Sequence, residues 1–222
     1  MAGTLIVFEG TDGSGKSTQF QRLCQRVSQS GRAFQQLVFP QYQEPSSALI
    51  RMYLNGEFGS HPEDVNPYAA SAFYAVDRYA SLKKVWGDYY QSGGLILTDR
   101  YTTSNAVHQA VKCPPQERGD FLRWLDDFEH TKRGLPGPDL VLYVDLPTDG
   151  GVALLRRRES DTHTQADIHE VDSSYLAACR DSALQAAQLL GWKVISCVDP
   201  SGQLRSIQDI HEEVWALAAP LL

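Results

Sequence analysis

One run of eight residues constrains this chain more than any other feature. Gly10-Thr-Asp-Gly-Ser-Gly-Lys16-Ser17 matches the pattern G-x-x-x-x-G-K-[ST] at every fixed position. It follows a short apolar run, Thr4–Phe8, and opens an amphipathic run, Ser17–Ser30, which stops before Gly31. A strand, a glycine-rich turn and a helix in this order predict a loop whose backbone N–H groups surround a polyphosphate.

The residue types in this loop have separate chemical reasons. Glycine lets the backbone turn its N–H groups inward with no Cβ in the way. Lys16 is expected to bridge the β- and γ-phosphates of ATP, and the hydroxyl of Ser17 is expected to bind Mg²⁺. The predicted ATP-binding residues of the loop are Gly10, Thr11, Asp12, Gly13, Ser14, Gly15, Lys16, Ser17 and Thr18.

Short apolar runs alternate with longer amphipathic ones over the whole chain, which is typical of an α/β protein with a parallel sheet. The further predicted strands are Phe34–Phe39, Gly94–Thr98, Leu140–Asp145 and Trp192–Cys197. A long helix is predicted to begin at Pro67 after the N-cap Asn66, with Phe73, Val76 and Ala80 on its apolar side. Further helices are predicted over 101–112, 115–131, 148–158, 168–190 and 204–218.

Composition narrows the class of protein. A chain of 222 residues with 42% hydrophobic residues can bury a core, and it has no Gly/Ser-rich linker, so we predict a single domain over 1–222. The net charge of −7 argues against a broad basic surface for nucleic acid. The four cysteines lie far apart and predict buried thiols in a reducing compartment. With no signal peptide or membrane-spanning segment, we expect a cytoplasmic protein with no membrane partner.

A phosphate loop alone does not define the reaction. A GTPase needs an N-K-x-D segment to read guanine, and no Asn-Lys pair occurs in this chain. Motor ATPases usually need a larger chain or tandem domains. The size and the remaining motifs therefore favour a kinase.

Three further segments, taken with Glu9 and the loop, resemble the thymidylate (dTMP) kinases. They are Phe39-Pro40, Phe73-Tyr-Ala-Val-Asp-Arg78 and Asp99-Arg-Tyr-Thr-Thr-Ser-Asn105, and the resemblance spans residue 4 to about residue 198. It implies a three-layer P-loop kinase fold: about five parallel strands, helices on both faces and a lid near 156–170. It also implies transfer of the γ-phosphoryl group of ATP to dTMP with Mg²⁺, giving dTDP and ADP, and a homodimer.

The resemblance assigns roles in an acceptor site. Tyr74 stacks on thymine and Arg78 contacts the base, while Arg100 holds the acceptor phosphate and Asp99 lies near Mg²⁺. Asp12 binds the 3′-hydroxyl, Asn105 contacts the base, and Gln109 follows one helical turn later. The residues alone leave other interpretations open: a surface Arg78 paired with Asp77 or a glutamate, a strand-end salt bridge at Asp99-Arg100, and a structural cap at Asp12.

The catalytic arginine of this family lies either in the phosphate loop or in the lid. Gly13 and Ser14 leave no arginine in this loop, so the lid must supply it. Of the run Arg156-Arg157-Arg158, the prediction assigns Arg158 to the transferred phosphoryl group and Arg156 to adenine. The alternative is a solvated charge run at a helix end.

Two positions depart from the family pattern. Gln41-Tyr42 stand where an arginine usually follows Phe-Pro, and Arg51 is a candidate substitute. His108 stands where a tyrosine usually packs on the sugar. These departures keep two alternatives open: a kinase for another pyrimidine deoxynucleotide or a nucleoside, and, from another class, a nucleotide-dependent switch.

Overall fold

A computed structural model describes residues 2–148 and 173–222. The strands in this part of the chain are β1 (Thr4–Glu9), β2 (Phe34–Val38), β3 (Leu95–Asp99), β4 (Leu140–Asp145) and β5 (Lys193–Ser196). They form one parallel sheet in the order β2-β3-β1-β4-β5. The prediction of five parallel strands is confirmed, and no strand end differs from its predicted position by more than one residue.

The register of the central strands brings two loops together. β1 and β3 are neighbours, and Phe8 lies opposite Asp99. The chain leaves β1 into the glycine-rich run and leaves β3 into Arg100, so both segments start from the carboxyl edge of the sheet. Ligands of open parallel sheets bind at this edge.

The helices surround the sheet. They are α1 (Lys16–Gln29), α2 (Ala48–Leu54), α3 (Pro67–Ser81), α4 (Gly87–Gln91), α5 (Thr103–His108), α6 (Arg118–Asp126), α7 (Ser173–Leu190) and α8 (Ile207–Ala218). π-Helical segments at Leu82–Trp86 and Asp127–Lys132 directly follow α3 and α6. Helix α2 was not predicted, because its seven residues are too short to show a helical period.

Apolar side chains fill both faces of the sheet. On one face, Phe20 and Leu23 of α1 and Val214 of α8 pack against alternate residues of the central strands. On the other face, Val107 of α5 and Ala183 of α7 belong to a second core cluster with the intervening strand residues. Helices on both faces are therefore confirmed, because each central strand is covered on both sides.

Helix α3 begins at Pro67 after the Asn66 cap, as predicted, but it is turned differently from the prediction. Val76, predicted to face the core, is 45% exposed. The inner side of α3 carries small and polar residues: Ala70, Ser71, Ala75, Asp77, Arg78 and Ser81. The apolar period was misleading because this helix packs against a polar cluster, where hydrogen bonds and ion pairs replace apolar contacts.

Several predictions fall wholly or partly on residues that the structure does not describe, among them the first five residues of the predicted helix over 168–190. The predicted helix over 148–158 lies outside the described residues except for Thr148, and the predicted lid over 156–170 lies outside them entirely. Among the helices of 2–148 and 173–222, none combines the length and apolar character needed to cross a bilayer. All four cysteines are described and buried, as predicted.

Candidate active site

The glycine-rich run forms a tight turn at the end of β1. Gly13 and Gly15 have φ of 80° and 83°, a region that favours glycine, and α1 begins directly after Gly15 at Lys16. Gly10 is needed for space, since a Cβ there would lie 2.6 Å from Ser14 Oγ and 2.9 Å from the Val144 carbonyl oxygen. The loop therefore has the backbone of a phosphate cradle at a helix N-terminus.

Lys16 and Ser17, at the start of α1, both contact Asp99, the last residue of β3. The Lys16 ammonium forms a buried ion pair with one carboxylate oxygen of Asp99. The Ser17 hydroxyl donates to the other oxygen at 3.2 Å. Burial and the nearby Arg100 lower the pKa of Lys16, while Asp99 opposes this effect. The structure therefore brings the predicted phosphate-binding lysine and the two predicted metal-side residues into direct contact.

The donor set at this point fits Mg²⁺. A hydroxyl oxygen and a carboxylate oxygen are hard ligands, and Mg²⁺ in phosphoryl-transfer sites is usually held by one or two protein oxygens together with phosphates. Within 2–148 and 173–222 there is no cluster of three or more His, Cys, Asp or Glu side chains that could bind a metal alone. Ser17 and Asp99 are thus suited to a metal that arrives with a polyphosphate.

Arg100 follows Asp99 in an unusual backbone conformation. Its φ of 67° is in the left-handed region, which costs about 1–3 kcal/mol for a non-glycine residue. Its backbone N–H donates to the Phe8 carbonyl at 2.9 Å, and its guanidinium turns toward the phosphate loop. One terminal nitrogen donates to Asp12 at 2.6 Å, and the other lies 3.0 Å from His108 Nε2. Burial alone would lower the pKa of Arg100, but the carboxylates of Asp12 and Glu9 raise it.

Glu9 is a charged residue at this site to which the sequence analysis assigned no role. It ends β1, is fully buried, and accepts a hydrogen bond from Arg100 at 3.2 Å. The signal for it was a lone acid at the end of an otherwise apolar strand.

Arg78 lies deeper than predicted. Its guanidinium is almost wholly buried, forms an ion pair with Glu129 and donates to the Tyr101 carbonyl at 3.3 Å. The interpretation of Arg78 as a surface residue is wrong, and so is Asp77 as its partner. Its Nε atom is buried without a hydrogen-bond partner in the described part of the chain. No local signal identified Glu129, because it lies in a polar helical stretch.

Helices α3 and α5 enclose further polar side chains. Asn105 Nδ2 donates to the Ser71 carbonyl at 3.3 Å. Among the described residues, Gln109 Oε1 and Ser71 Oγ are buried with no hydrogen-bond partner. Tyr74, on α3, is half-buried and packs on the cluster that contains Tyr53. Asn105 thus connects α5 to α3, and the buried polar atoms of Gln109 and Ser71 have hydrogen-bonding capacity left for a ligand.

His108 connects Arg100 to α7. Its Nδ1 lies 3.7 Å from the Cys179 sulfur, and its carbonyl accepts from the Tyr175 hydroxyl at 2.7 Å. Burial raises the pKa of the Cys179 thiol to about 12, so this group stays neutral. The contacts of Tyr175 and Cys179 with His108 were not predicted, because no motif in the sequence links α7 to His108.

The segment after Phe39-Pro40 is fixed by Asp77. This carboxylate accepts from the Gln41 backbone N–H at 2.8 Å and from the hydroxyls of Ser46 and Ser47 at 2.7 and 2.8 Å. Phe39 is buried, and the Phe39-Pro40 peptide bond is cis. Arg51 donates to the carbonyls of Tyr42 and Glu44, so among the described residues its hydrogen bonds support this segment.

The sequence profile of the thymidylate kinase family matches residues 8–206. The chain belongs to the thymidylate kinase family. As members of this family are phosphotransferases, this chain is one too.

Three thymidylate kinases give the degree of similarity. The chain is 33% identical over 168 residues to the Cyanothece sp. enzyme, covering 71% of this chain and 70% of that one. It is 27% identical over 220 residues to the Danio rerio enzyme, covering 99% and 92% of the two chains. The structure of the Candida albicans enzyme superposes with a TM-score of 0.71 at 22% identity, covering 99% of this chain and 92% of that one. This last likeness shows a shared fold.

Proposed function

We propose that this thymidylate kinase family member transfers the γ-phosphoryl group of ATP to the phosphate of dTMP, giving ADP and dTDP. The observation that carries the proposal is that two consecutive residues at the end of β3, Asp99 and Arg100, contact different partners. Asp99 contacts Lys16 and Ser17 of the phosphate loop, while Arg100 points to Asp12 and His108. A site with two adjacent anion-binding groups suits a phosphate donor and a phosphate acceptor.

Positioning and charge neutralisation would supply most of the acceleration. Lys16 would hold the β- and γ-phosphates, and Ser17 and Asp99 would hold Mg²⁺. When bound, this ion would neutralise phosphate charge and make the γ-phosphorus more electrophilic. Arg100 would hold the acceptor phosphate in line. No general base is needed, because the acceptor oxygen is already anionic.

The proposed acceptor pocket lies between α3 and α5. Tyr74 would stack on thymine, a contact worth about 1–3 kcal/mol. Asn105 and Gln109 would hydrogen-bond the base, and Arg78 would donate to a base carbonyl. Asp12 would bind the 3′-hydroxyl, and Phe39 and Pro40 would form the wall of the site. Arg51 would support the segment behind them. The orphaned polar atoms of Arg78 and Gln109 support this proposal.

Two arginines of the proposed lid complete the donor side. Arg158 would stabilise the transferred phosphoryl group and Arg156 would lie on adenine. Both lie outside the described residues. The absence of an arginine from Gly10–Ser17 supports a lid-borne catalytic arginine.

The proposed function also concerns the oligomeric state, the number of domains and the location of the protein. We propose a homodimer formed through the outer side of α3 and the π-helical segment after it, where Val76, Tyr79 and Val85 are exposed. A Val76→Glu variant that leaves the molar mass in light scattering unchanged would contradict it. We also propose one domain and a cytoplasmic location, which the four buried thiols support.

A coupled assay of ADP release over an acceptor panel tests the reaction. With Mg-ATP, we expect turnover with dTMP, less with dUMP, and little with UMP, dCMP, dGMP or thymidine. Arg100→Ala should remove most of the activity, while Arg123→Ala, an exposed arginine on α6, should not. Equal rates with and without any acceptor would indicate an ATPase or a nucleotide switch instead. A preference for UMP or thymidine would replace dTMP as the acceptor.

A further inference from the structure

The carboxylate of Glu9 is buried and is held in place by several hydrogen-bond donors. Its side chain is 0% exposed. One oxygen accepts from Arg100 at 3.2 Å and from the Gly10 backbone N–H at 3.0 Å. The other accepts from the hydroxyls of Thr103 and Ser104 at 2.9 and 2.6 Å. Four donors from three segments therefore hold one buried carboxylate.

Asp12, the second carboxylate on Arg100, differs in exposure. Its side chain is 21% exposed, and it contacts the other terminal nitrogen of Arg100, at 2.6 Å. Water can solvate Asp12 when Arg100 turns to another anion. Glu9 has no such access, and an uncompensated charge in its position would be strongly unfavourable. The two terminal nitrogens of Arg100 are thus unequal: one faces a fully buried carboxylate and His108, and the other faces a carboxylate that water can reach.

We propose that Glu9 is a positioning residue for the acceptor phosphate. It fixes one terminal nitrogen of Arg100, and through it the direction of the guanidinium, so that the other nitrogen can exchange Asp12 for the phosphate of the acceptor. Thr103 and Ser104 fix Glu9 in turn. The inference rests on the proposed function, in which Arg100 holds that phosphate, and it adds a residue that does not itself touch a substrate.

The backbone at Arg100 explains why such a clamp is needed. A left-handed conformation is maintained only where the surroundings enforce it. The Phe8 carbonyl holds the backbone N–H and Glu9 holds the far end of the side chain, so both ends of Arg100 are tied to the end of β1. Without Glu9 the guanidinium would keep its charge and lose its direction.

The test compares dTMP with thymidine, which differ only in the phosphate. Equilibrium binding of each is measured by titration calorimetry with the wild-type chain and with Glu9→Gln. The amide keeps the size of the side chain but removes the negative charge of Glu9 that faces the Arg100 guanidinium. We expect dTMP to bind at least about tenfold more weakly to Glu9→Gln, with thymidine binding and the KM for ATP within about twofold of wild type.

Matched variants distinguish a positioning role of Glu9 from a general loss of acceptor binding. Asn105→Ala removes a proposed base contact and should weaken dTMP and thymidine by the same factor. Thr103→Val and Ser104→Ala remove single donors to Glu9 and should reproduce the dTMP-selective loss on a smaller scale, about threefold. These variants carry the test if Glu9→Gln does not reach the wild-type circular dichroism spectrum.

The outcomes are distinct. A loss for dTMP alone, in Glu9→Gln or in the two donor variants, supports the proposal. Equal losses for dTMP and thymidine, or no loss, in folded variants overturn the role of Glu9 while leaving the proposed reaction intact. If the wild-type chain binds no dTMP, both the proposed acceptor and the role of Glu9 are wrong.

Discussion

Arg78 and Glu129 form an ion pair that is closed to water on both sides, with side chains 2% and 0% exposed. Arg78 lies on α3, and Glu129 lies in the π-helical segment that follows α6. Such a pair depends on both partners, because removal of one leaves a buried charge without compensation. The pair therefore makes the polar side of α3 depend on a residue 51 positions away.

We expect Glu129→Leu to lower the free energy of unfolding by about 3–5 kcal/mol, because it isolates the Arg78 charge. The double variant Arg78→Met, Glu129→Leu should recover most of that stability yet bind dTMP poorly. Urea unfolding of the single and double variants measures the coupling. If the two substitutions change the free energy of unfolding additively, Arg78 and Glu129 do not stabilise each other.

We expect Lys16→Ala to lower kcat/KM by at least about 10³-fold, equivalent to about 4 kcal/mol, because the proposed phosphate-neutralising charge is lost. The fold should persist, since Ser17 still contacts Asp99. Steady-state ADP release measures the loss, with Lys132→Ala, an exposed lysine, as the control. Retained turnover in Lys16→Ala would remove this residue from the reaction.

We expect Asp99→Asn to raise the Mg²⁺ concentration for half-maximal activity by about tenfold or more, because the amide is a weaker ligand for a hard cation. A Mg²⁺ titration at saturating ATP measures this shift. Asp139→Asn is the matched control, since Asp139 accepts from the Leu5 N–H near the start of β1, at the opposite edge of the sheet. An equal Mg²⁺ requirement in both variants would exclude Asp99 from the metal site.

We expect Tyr74→Ala to weaken dTMP binding by about 1–3 kcal/mol through loss of stacking, with ATP affinity little changed. Tyr74→Phe keeps the ring and should bind dTMP within a few-fold of wild type. Both constants are available from initial rates with one substrate varied at a time. If the KM for dTMP is the same in all three proteins, Tyr74 does not contact the base.

Lys112 predicts a pH dependence of stability. Its ammonium donates to the Tyr53 hydroxyl at 2.8 Å and to the Val65 carbonyl at 3.1 Å, and burial lowers its pKa from 10.5 to about 8. Between these values the unfolded chain binds the proton more tightly, so this group stabilises the fold increasingly as pH rises from about 8 toward 10.5. The stability difference between wild type and Lys112→Met should therefore shift in favour of wild type from pH 7.5 to 9.5, by at most about 1.4 kcal/mol per pH unit. Urea unfolding at both pH values measures it, and parallel pH profiles would contradict it.

Local patterns were sufficient to predict the sheet and the phosphate loop. The central strands β1, β3 and β4 are nearly continuous apolar runs, and the loop residues are consecutive, so no long-range knowledge was needed for them. The outer strands β2 and β5 carry polar residues, but each still has a short apolar stretch. The position of Asp99 and Arg100 beside that loop followed from one topological rule about parallel sheets. The contacts of Asp99 with Lys16 and Ser17 agree with it.

The parts that the sequence did not reveal depend on partners far along the chain. Burial of Arg78 requires Glu129, and the orientation of α3 follows from that pair rather than from Val76 or Phe73. The segment after Phe39 is held by Asp77, 36 residues beyond Gln41. An acid and its distant partner carry no periodic signal, so polar packing of this kind becomes evident only in three dimensions.

Asp99 and Arg100 are joined by a single peptide unit, yet Asp99 contacts Lys16 and Ser17 while Arg100 contacts Asp12 and Glu9. In the proposed reaction the spacing between donor and acceptor is thus encoded in one covalent link. Such a link does not drift as the surrounding residues are exchanged over evolution. This gives a physical reason for a donor–acceptor spacing that substitutions elsewhere in the chain leave unchanged.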